Sequence, residues 1–414
     1  MSGGRRVAFL VSEFPRPVDA YMLRELTALD ARGVDLRIYS LRRPAHAAVP
    51  RAAEALRARV VYPPRTASGA LWTTHATALR TRGRHYVAAL REAIAGHAGS
   101  PRLLAKVLAV WPQTVWFADR ARRDGIGHVH ANWATYPAAA AASIARLTGL
   151  PWSFAGHASD IYLDATNLAA KVRSAAFVTT CTEDNRRYLR GLLPGAEADH
   201  VHTVYHGIDL SAAARVARTP GDDLELLAVG TLRDCKGFDT LLQTVALLRR
   251  DGLPARLTVI GDGEDRPALE RQAHGLGLDG HVTFTGYLPH EELAAHYARA
   301  TLLVHPARSA NHFGIPNVIL EAQAARVPVV CTRLPSLVEL LEDGVSGVYV
   351  PEDDAGALAT TLAGLFADPA LRERLAEAGH HRVTERFDIE HTVERLVPLL
   401  VGREAPAQRR EAVA

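Results

Sequence analysis

The segment Val229-Gly230-Thr231-Leu232-Arg233-Asp234-Cys235-Lys236-Gly237-Phe238 closes an apolar run on a glycine and carries two cations on a short polar loop. It opens a helix near Phe238. Two cations above a strand's carboxyl end, beside helix amides, suit a diphosphate. Solvated loop charges are the alternative. Gly261-Asp262-Gly263 follows another apolar run but lacks the third glycine of a dinucleotide fingerprint, so a tight strand-to-helix turn is its simplest reading. Further on, His312-Phe313-Gly314-Ile315-Pro316-Asn317 predicts a turn whose amides open a helix, with Glu321 about one turn inside it. An ionised carboxylate only accepts, and can receive both hydroxyls of a ribose. The alternative, a surface glutamate, sits poorly with apolar Val318, Ile319, Leu320 and Ala322 around it. In the first half, His157 and Asp160 fall just past one predicted strand and His130 near the end of another. There they could bind a sugar or steer an acceptor hydroxyl. With nineteen histidines in the chain, a structural role is the competing reading for each.

Several chemistries are pruned by absence. The sequence holds no GxxxxGKS/T, no HExxH, no GxSxG and no Asp-x-Asp. A metal on a diphosphate is therefore not expected, nor is any other cofactor. Cys181, Cys235 and Cys331 are odd in number and far apart, pointing to neither a disulfide framework nor a zinc site. At 48% hydrophobic and 22% charged, the 414 residues have ordinary globular composition and suit two α/β domains. The apolar run Val7–Val11 is five residues long, too short for a signal-peptide core or a membrane span. A cytoplasmic protein is the expectation. The net charge of +3 hides a basic block: residues 51–125 hold thirteen Lys or Arg against four Asp or Glu. That block reads either as a solvated helical face or as a surface for an anionic partner or membrane.

The elements that must position these residues alternate between short β-rich runs and amphipathic helices. Predicted strands cover 6–12, 34–41, 128–133, 151–155, 177–180 and 201–205. Predicted helices cover 18–32 and 137–147, with basic amphipathic stretches around 72–95 and 102–123. A polar stretch, 215–223, reads as a linker. The alternation then restarts with strands at 224–229, 256–260, 282–284, 302–304, 327–331 and 347–350, and turns helical from Asp354 to about Val401. Such alternation demands parallel sheets with crossover helices. Two Rossmann-like domains facing each other across a cleft are expected. The expected divisions are 1–214, 215–385, a crossing helix at 386–401 and a tail at 402–414. Ligands should sit beyond the carboxyl ends of the strands.

Taken in order, these pieces resemble a glycosyltransferase of the GT-B fold, in the family-four retaining group. Ser12-Glu13-Phe14-Pro15, His128-Val129-His130-Ala131, Gly156 to Tyr162 and His206-Gly207-Ile208-Asp209 resemble its exopolysaccharide, colanic-acid-type branch. Gly230 to Gly237, Gly261 to Gly263, Gly286-Tyr287-Leu288, Gly314 to Ala322 and Pro328-Val329-Val330 resemble the donor-binding domain of the group. The resemblance implies that Lys236 binds the donor diphosphate, Glu321 the ribose hydroxyls and the Gly286–Leu288 backbone the base. Amides of Gly314 to Asn317 would hold the transferred sugar. His157 would stand beside the reaction centre, with Asp160 on the acceptor side.

Three positions depart from the group. Phe313 stands where a sugar-binding glutamate is usual, Thr231 where an arginine is common, with Arg233 two residues on, and Arg326 where a glycine follows the Glu321 helix. They leave open an altered donor sugar, a divergent subgroup or lost activity. The implied reaction is metal-independent transfer with retention from a nucleotide diphosphate sugar to a hydroxyl acceptor, such as a glycan or lipid-linked saccharide. A non-catalytic nucleotide-sugar binder and a sugar-nucleotide epimerase are the alternatives. Leu71, Trp72, Leu79, Tyr86, Val87 and Leu90 among Arg80, Arg82, Arg84 and Arg91 suggest attachment to an anionic leaflet. Nucleic acid is not expected as a partner, because no recognition motif accompanies the charge.

Overall fold

In the computed structural model, residues 5–16, 20–44, 51–210, 217–310 and 315–402 are described. The chain forms two compact units, one spanning 1–207 with 389–414, the other 208–388.

The first unit is built on a parallel sheet of seven strands: β1 Arg6–Glu13, β2 Leu36–Arg42, β3 Val60–Val61, β4 Ile126–Asn132, β5 Trp152–Gly156, β6 Phe177–Thr180 and β7 Val201–Thr203. They lie in the order β3-β2-β1-β4-β5-β6-β7. Both faces of β1 are covered, so its residues read as an unbroken apolar run instead of alternating. The second unit has six strands: β8 Leu224–Val229, β9 Ala255–Ile260, β10 Val282–Gly286, β11 Leu302–His305, β12 Val329–Thr332 and β13 Val348–Val350. Their order, β10-β9-β8-β11-β12-β13, is that of a Rossmann sheet, reversing between β8 and β11. Two Rossmann-like α/β domains were expected, and two are found.

The basic stretches differ from their predicted outlines. Gly69–His97 is helical but bends at Arg82, whose backbone leaves helical angles at φ −143°, ψ 34°. The second stretch is two helices, Pro101–Ala109 and Trp111–Arg123, meeting at Val110. Pro112 is the reason: it has no N–H to bond Leu108, and its ring crowds that carbonyl.

The polar stretch after β7 is docked where it is described. Thr219 N–H donates to the Ala298 carbonyl at 2.8 Å, and Arg218 Nη1 donates to the carbonyls of Tyr297 and Ala300 at 2.7 Å each. Residues 215 and 216 lie outside the described residues. The last helix, Ile389–Val401, packs within the first unit. There Val393, Leu396 and Leu400 share a buried cluster with Phe9, Leu26 and Leu29. Each such side chain contributes about 1.5–3 kcal/mol of apolar burial, and Arg5 ties the helix end by donating to the Leu400 carbonyl at 2.7 Å.

Candidate active site

In the second unit, three strand ends meet through backbone alone. Gly230 N–H donates to the Ile260 carbonyl (2.9 Å), Leu232 N–H to Asp262 (3.0 Å) and Gly261 N–H to Gly286 (2.9 Å). Gly261 has φ +138°, and a Cβ there would sit 1.9 Å from the Gly230 carbonyl oxygen, so no side chain fits. A short helical turn, Asp234–Lys236, then ends in left-handed Gly237, which starts the helix Phe238–Arg250. Gly237 lies against the Pro306 carbonyl just past β11; a Cβ would come within 2.0 Å of that oxygen. The loop bearing Lys236 is thus fitted into the switch point between β8 and β11, where open α/β sheets bind ligands.

Lys236 is half-buried, and burial lowers its pKa, offset in part by Cys235. Among the described residues no carboxylate pairs with it. Thr231 and Arg233 are exposed. Arg233 lies 3.7 Å from Glu264 on the surface. Asp262 caps its own loop by accepting from Gly263 N–H at 2.8 Å and pairs with Arg266 at 3.2 Å. Tyr287 is 71% exposed, with Leu288 partly so.

Glu321 lies in the helix Asn317–Ala324, where its Oε2 accepts from the Tyr297 hydroxyl at 3.0 Å. At the start of that helix Asn317 Oδ1 is buried without a partner among the described residues. Ile315 is buried and Pro316 precedes the helix. Phe313 and Gly314 lie outside the described residues. Arg326 adopts φ +55°, the left-handed stop for which glycine is usual, and holds it with its guanidinium 2.9 Å from Glu377.

One residue of this region was not singled out from sequence. Arg308, 13% exposed, reaches Asp234, Asp239 and Asp353 at 2.9, 2.7 and 2.8 Å. Its Nη1 also donates to the Asp234 carbonyl at 2.6 Å, and its N–H to the Cys235 carbonyl at 2.9 Å. These bonds raise its pKa, Asp239 contributing most. Arg308 therefore grips both sides of the Lys236 turn. The available signal was two aspartates, Asp234 and Asp239, at the cation-bearing loop; Asp353 lies far along the chain and gave none.

In the first unit, β5 ends at Gly156 and His157 follows, buried beside Tyr21, Trp133 and His206. Ring centroids of His157 lie 5.0 Å from Tyr21, 4.7 Å from Trp133 and 5.0 Å from His206. Trp133 sits at φ +122°, a costly conformation for a bulky residue and one that clusters at functional sites. Its position is clamped from both sides. Asp160 accepts from the Ala134 N–H at 2.7 Å and from the His157 and Ala158 N–H groups at 2.9 Å. Buried Lys171, its pKa lowered to about 8 by burial, donates to the Ala134 carbonyl at 2.9 Å. Sequence reasoning missed both Trp133 and Lys171.

Two expectations change here. Asp160 was placed on the acceptor side; its carboxylate is 4% exposed and taken up by three amides, so it shapes the loop. His130 was a candidate contact; it is fully buried, with Nδ1 2.7 Å from Ser153 Oγ and its ring near Phe177. It is a core histidine. His157 differs from both: its Nε2 faces Asn132 Oδ1 at 3.1 Å, and its Nδ1 has no partner among the described residues. Burial lowers its pKa against the pull of Asp160.

Residues 212–382 match the family of glycosyl transferases group 1. The chain is 32% identical over 232 residues to a GDP-mannose-dependent alpha-(1-6)-phosphatidylinositol monomannoside mannosyltransferase of Mycolicibacterium smegmatis, covering 54% of this chain and 61% of that one. It is 38% identical over 213 residues to a D-inositol 3-phosphate glycosyltransferase of Frankia alni, covering 47% and 51%. The chain thus spans about half to three fifths of these relatives' lengths. Among solved structures, HepE of Anabaena in complex with UDP superposes with a TM-score of 0.71 at 17% identity, covering 96% of this chain and all of that one. The two-domain α/β fold is therefore that of GT-B glycosyltransferases. The colanic-acid branch within that fold is not distinguished by these matches. No described helix is long and apolar enough to cross a membrane.

Proposed function

We propose that the protein is a glycosyltransferase that moves a sugar, with retention and without a metal on the diphosphate, from a nucleoside diphosphate sugar to a hydroxyl acceptor. The observation that carries this reading is Lys236. A half-buried ammonium without a carboxylate partner is costly, and an incoming diphosphate removes that cost. Leaving-group charge grows as the glycosidic bond breaks, so a fixed cation at the helix start stabilises the transition state more than the ground state. Glu321, whose carboxylate also accepts from the Tyr297 hydroxyl, receives ribose hydroxyls. Gly286 to Leu288 flank the base. Asn317 Oδ1 and the amides around it take hydroxyls of the transferred sugar. In the first unit, His157 Nδ1, which has no partner among the described residues, accepts a sugar hydroxyl. Support for the donor class comes from HepE, which is also solved with UDP-glucose.

A lipid-linked acceptor, met by a cytoplasmic protein at an anionic leaflet, is the finer part of the proposal. On the bent helix, Trp72 and Leu79, seven apart, are 53% and 47% exposed; Val87 and Ile94, again seven apart, are 50% and 40% exposed. Arg80, Arg84 and Arg91 are exposed among them, with no carboxylate partner among the described residues. Apolar side chains with interleaved cations suit a headgroup boundary. Support for a lipid also comes from the mycobacterial relative, a phosphatidylinositol monomannoside mannosyltransferase.

The test is a panel of UDP- and GDP-sugars scored by calorimetry and by nucleoside diphosphate release, with product anomers read by NMR. Release abolished by Lys236→Ala and Glu321→Ala, with the donor's anomeric configuration kept, supports the assignment. Tight donor binding without release under any acceptor would make the chain a binder. Vesicle sedimentation that ignores anionic lipid would remove the membrane surface.

A further inference from the structure

We propose that His157, Cys181 and His206 form a binding site for a soft divalent cation of the zinc class, and that an ion there excludes the sugar from His157. One ligand atom from each of the three residues lies within 4.8 Å of the others. A tetrahedral zinc, bonded at about 2.0 Å to nitrogen and about 2.3 Å to sulfur, sets its donors roughly 3.3–3.5 Å apart. Side-chain adjustment of up to about 1.5 Å, shared among the three residues, closes that difference.

The donors are prepared for such an ion. His157 is 7% exposed, its Nε2 faces the Asn132 side-chain carbonyl, and its Nδ1 has no partner among the described residues. A carbonyl on one ring nitrogen holds the proton there and leaves the other lone pair for a metal, the arrangement that orients metal-binding histidines. His206, stacked on His157 at 29°, is only half-buried. Burial keeps both rings neutral, as ligands must be.

The Cys181 thiol donates to the His157 carbonyl at 3.2 Å, and Asn185 Nδ2 donates to the same carbonyl. Loss of the thiol proton to water therefore leaves that carbonyl satisfied. Asn185 Nδ2, 3.7 Å from the sulfur, faces the thiolate that forms. Three protein donors leave a fourth position for water. Exclusion of sugar rests on the role proposed for His157; ion binding does not.

Cobalt(II) titration of the metal-stripped full chain tests the site. The expected result is one equivalent bound, with a sulfur-to-cobalt charge-transfer band that Cys181→Ser abolishes and Cys235→Ser retains. His206→Asn, at a half-buried position, should weaken binding by about ten-fold or more. No band in the wild type, or a band surviving Cys181→Ser in a chain of native circular dichroism, overturns the site. Zinc should slow nucleoside diphosphate release by the wild type and leave Cys181→Ser at its own metal-free rate. Release unchanged by zinc in a chain that binds cobalt overturns the exclusion alone. A chain without any release leaves the cobalt readout to decide the site while refuting the proposed transfer.

Discussion

At the carboxyl end of β8, the second unit holds a cation without a carboxylate partner among the described residues; past the carboxyl end of β5, the first holds a histidine that burial keeps neutral. The sheets around them follow the same winding, and the difference lies in the loops. Glycines let three strand ends touch in the second unit, and Arg308 braces the turn through three aspartates. In the first unit aromatic rings surround the histidine, and the charged groups, Asp160 and Lys171, are spent on backbone. A shared fold therefore sets where chemistry is placed, and loop side chains set which chemistry it is.

The comparison breaks first at Lys236. Lys236→Ala should lower kcat/KM for nucleoside diphosphate release about 10²–10³-fold with a native unfolding midpoint; a loss below ten-fold would move the diphosphate elsewhere. Arg308→Ala comes next. It frees the turn and leaves three aspartates around it, so donor affinity should fall about 10- to 100-fold, with Lys236 intact and Arg308→Lys restoring only part. Calorimetry with the nucleoside diphosphate reads both.

The neutral character of the first unit is checked by pH. Burial lowers His128 to about 2 and His130 to about 3. Unfolding restores ordinary values near 6.5, so the unfolded chain binds more protons as pH falls below about 6.5, and stability drops. At pH 5 each histidine should cost about 2 kcal/mol. Denaturant unfolding at pH 7 and pH 5 should show that loss, and His130→Asn should shrink it. The smallest effect belongs to Arg326→Gly: relief of left-handed strain, about 1 kcal/mol, against loss of an exposed ion pair with Glu377 of up to about 1 kcal/mol. A midpoint shifted by more than that would show the Glu321 helix depends on Arg326 itself.

Much of the fold was legible because parallel strands buried on both faces read as apolar runs; Phe177–Thr180 and Leu224–Val229 match their predicted bounds. The break at Val110 was legible too, since Pro112 forbids a continuous helix, yet the basic pattern hid it. The Lys236 loop could be found from its own ten residues. His130 and Asp160 could not be separated from His157, because strand-end position says nothing about whether a carboxylate meets amides or a ring meets Ser153. Arg308, Trp133 and Lys171 act through partners 24 to 74 residues away or through a backbone angle.

By itself the sequence determined the two alternating α/β halves, the basic block at 51–125 and the cation loop, since each is written in neighbouring residues. Cysteine spacing along the chain carries no sign that Cys181 has histidine neighbours. Only the tertiary structure brought Cys181 beside His157 and His206, because parallel strands align their carboxyl ends however many residues lie between them.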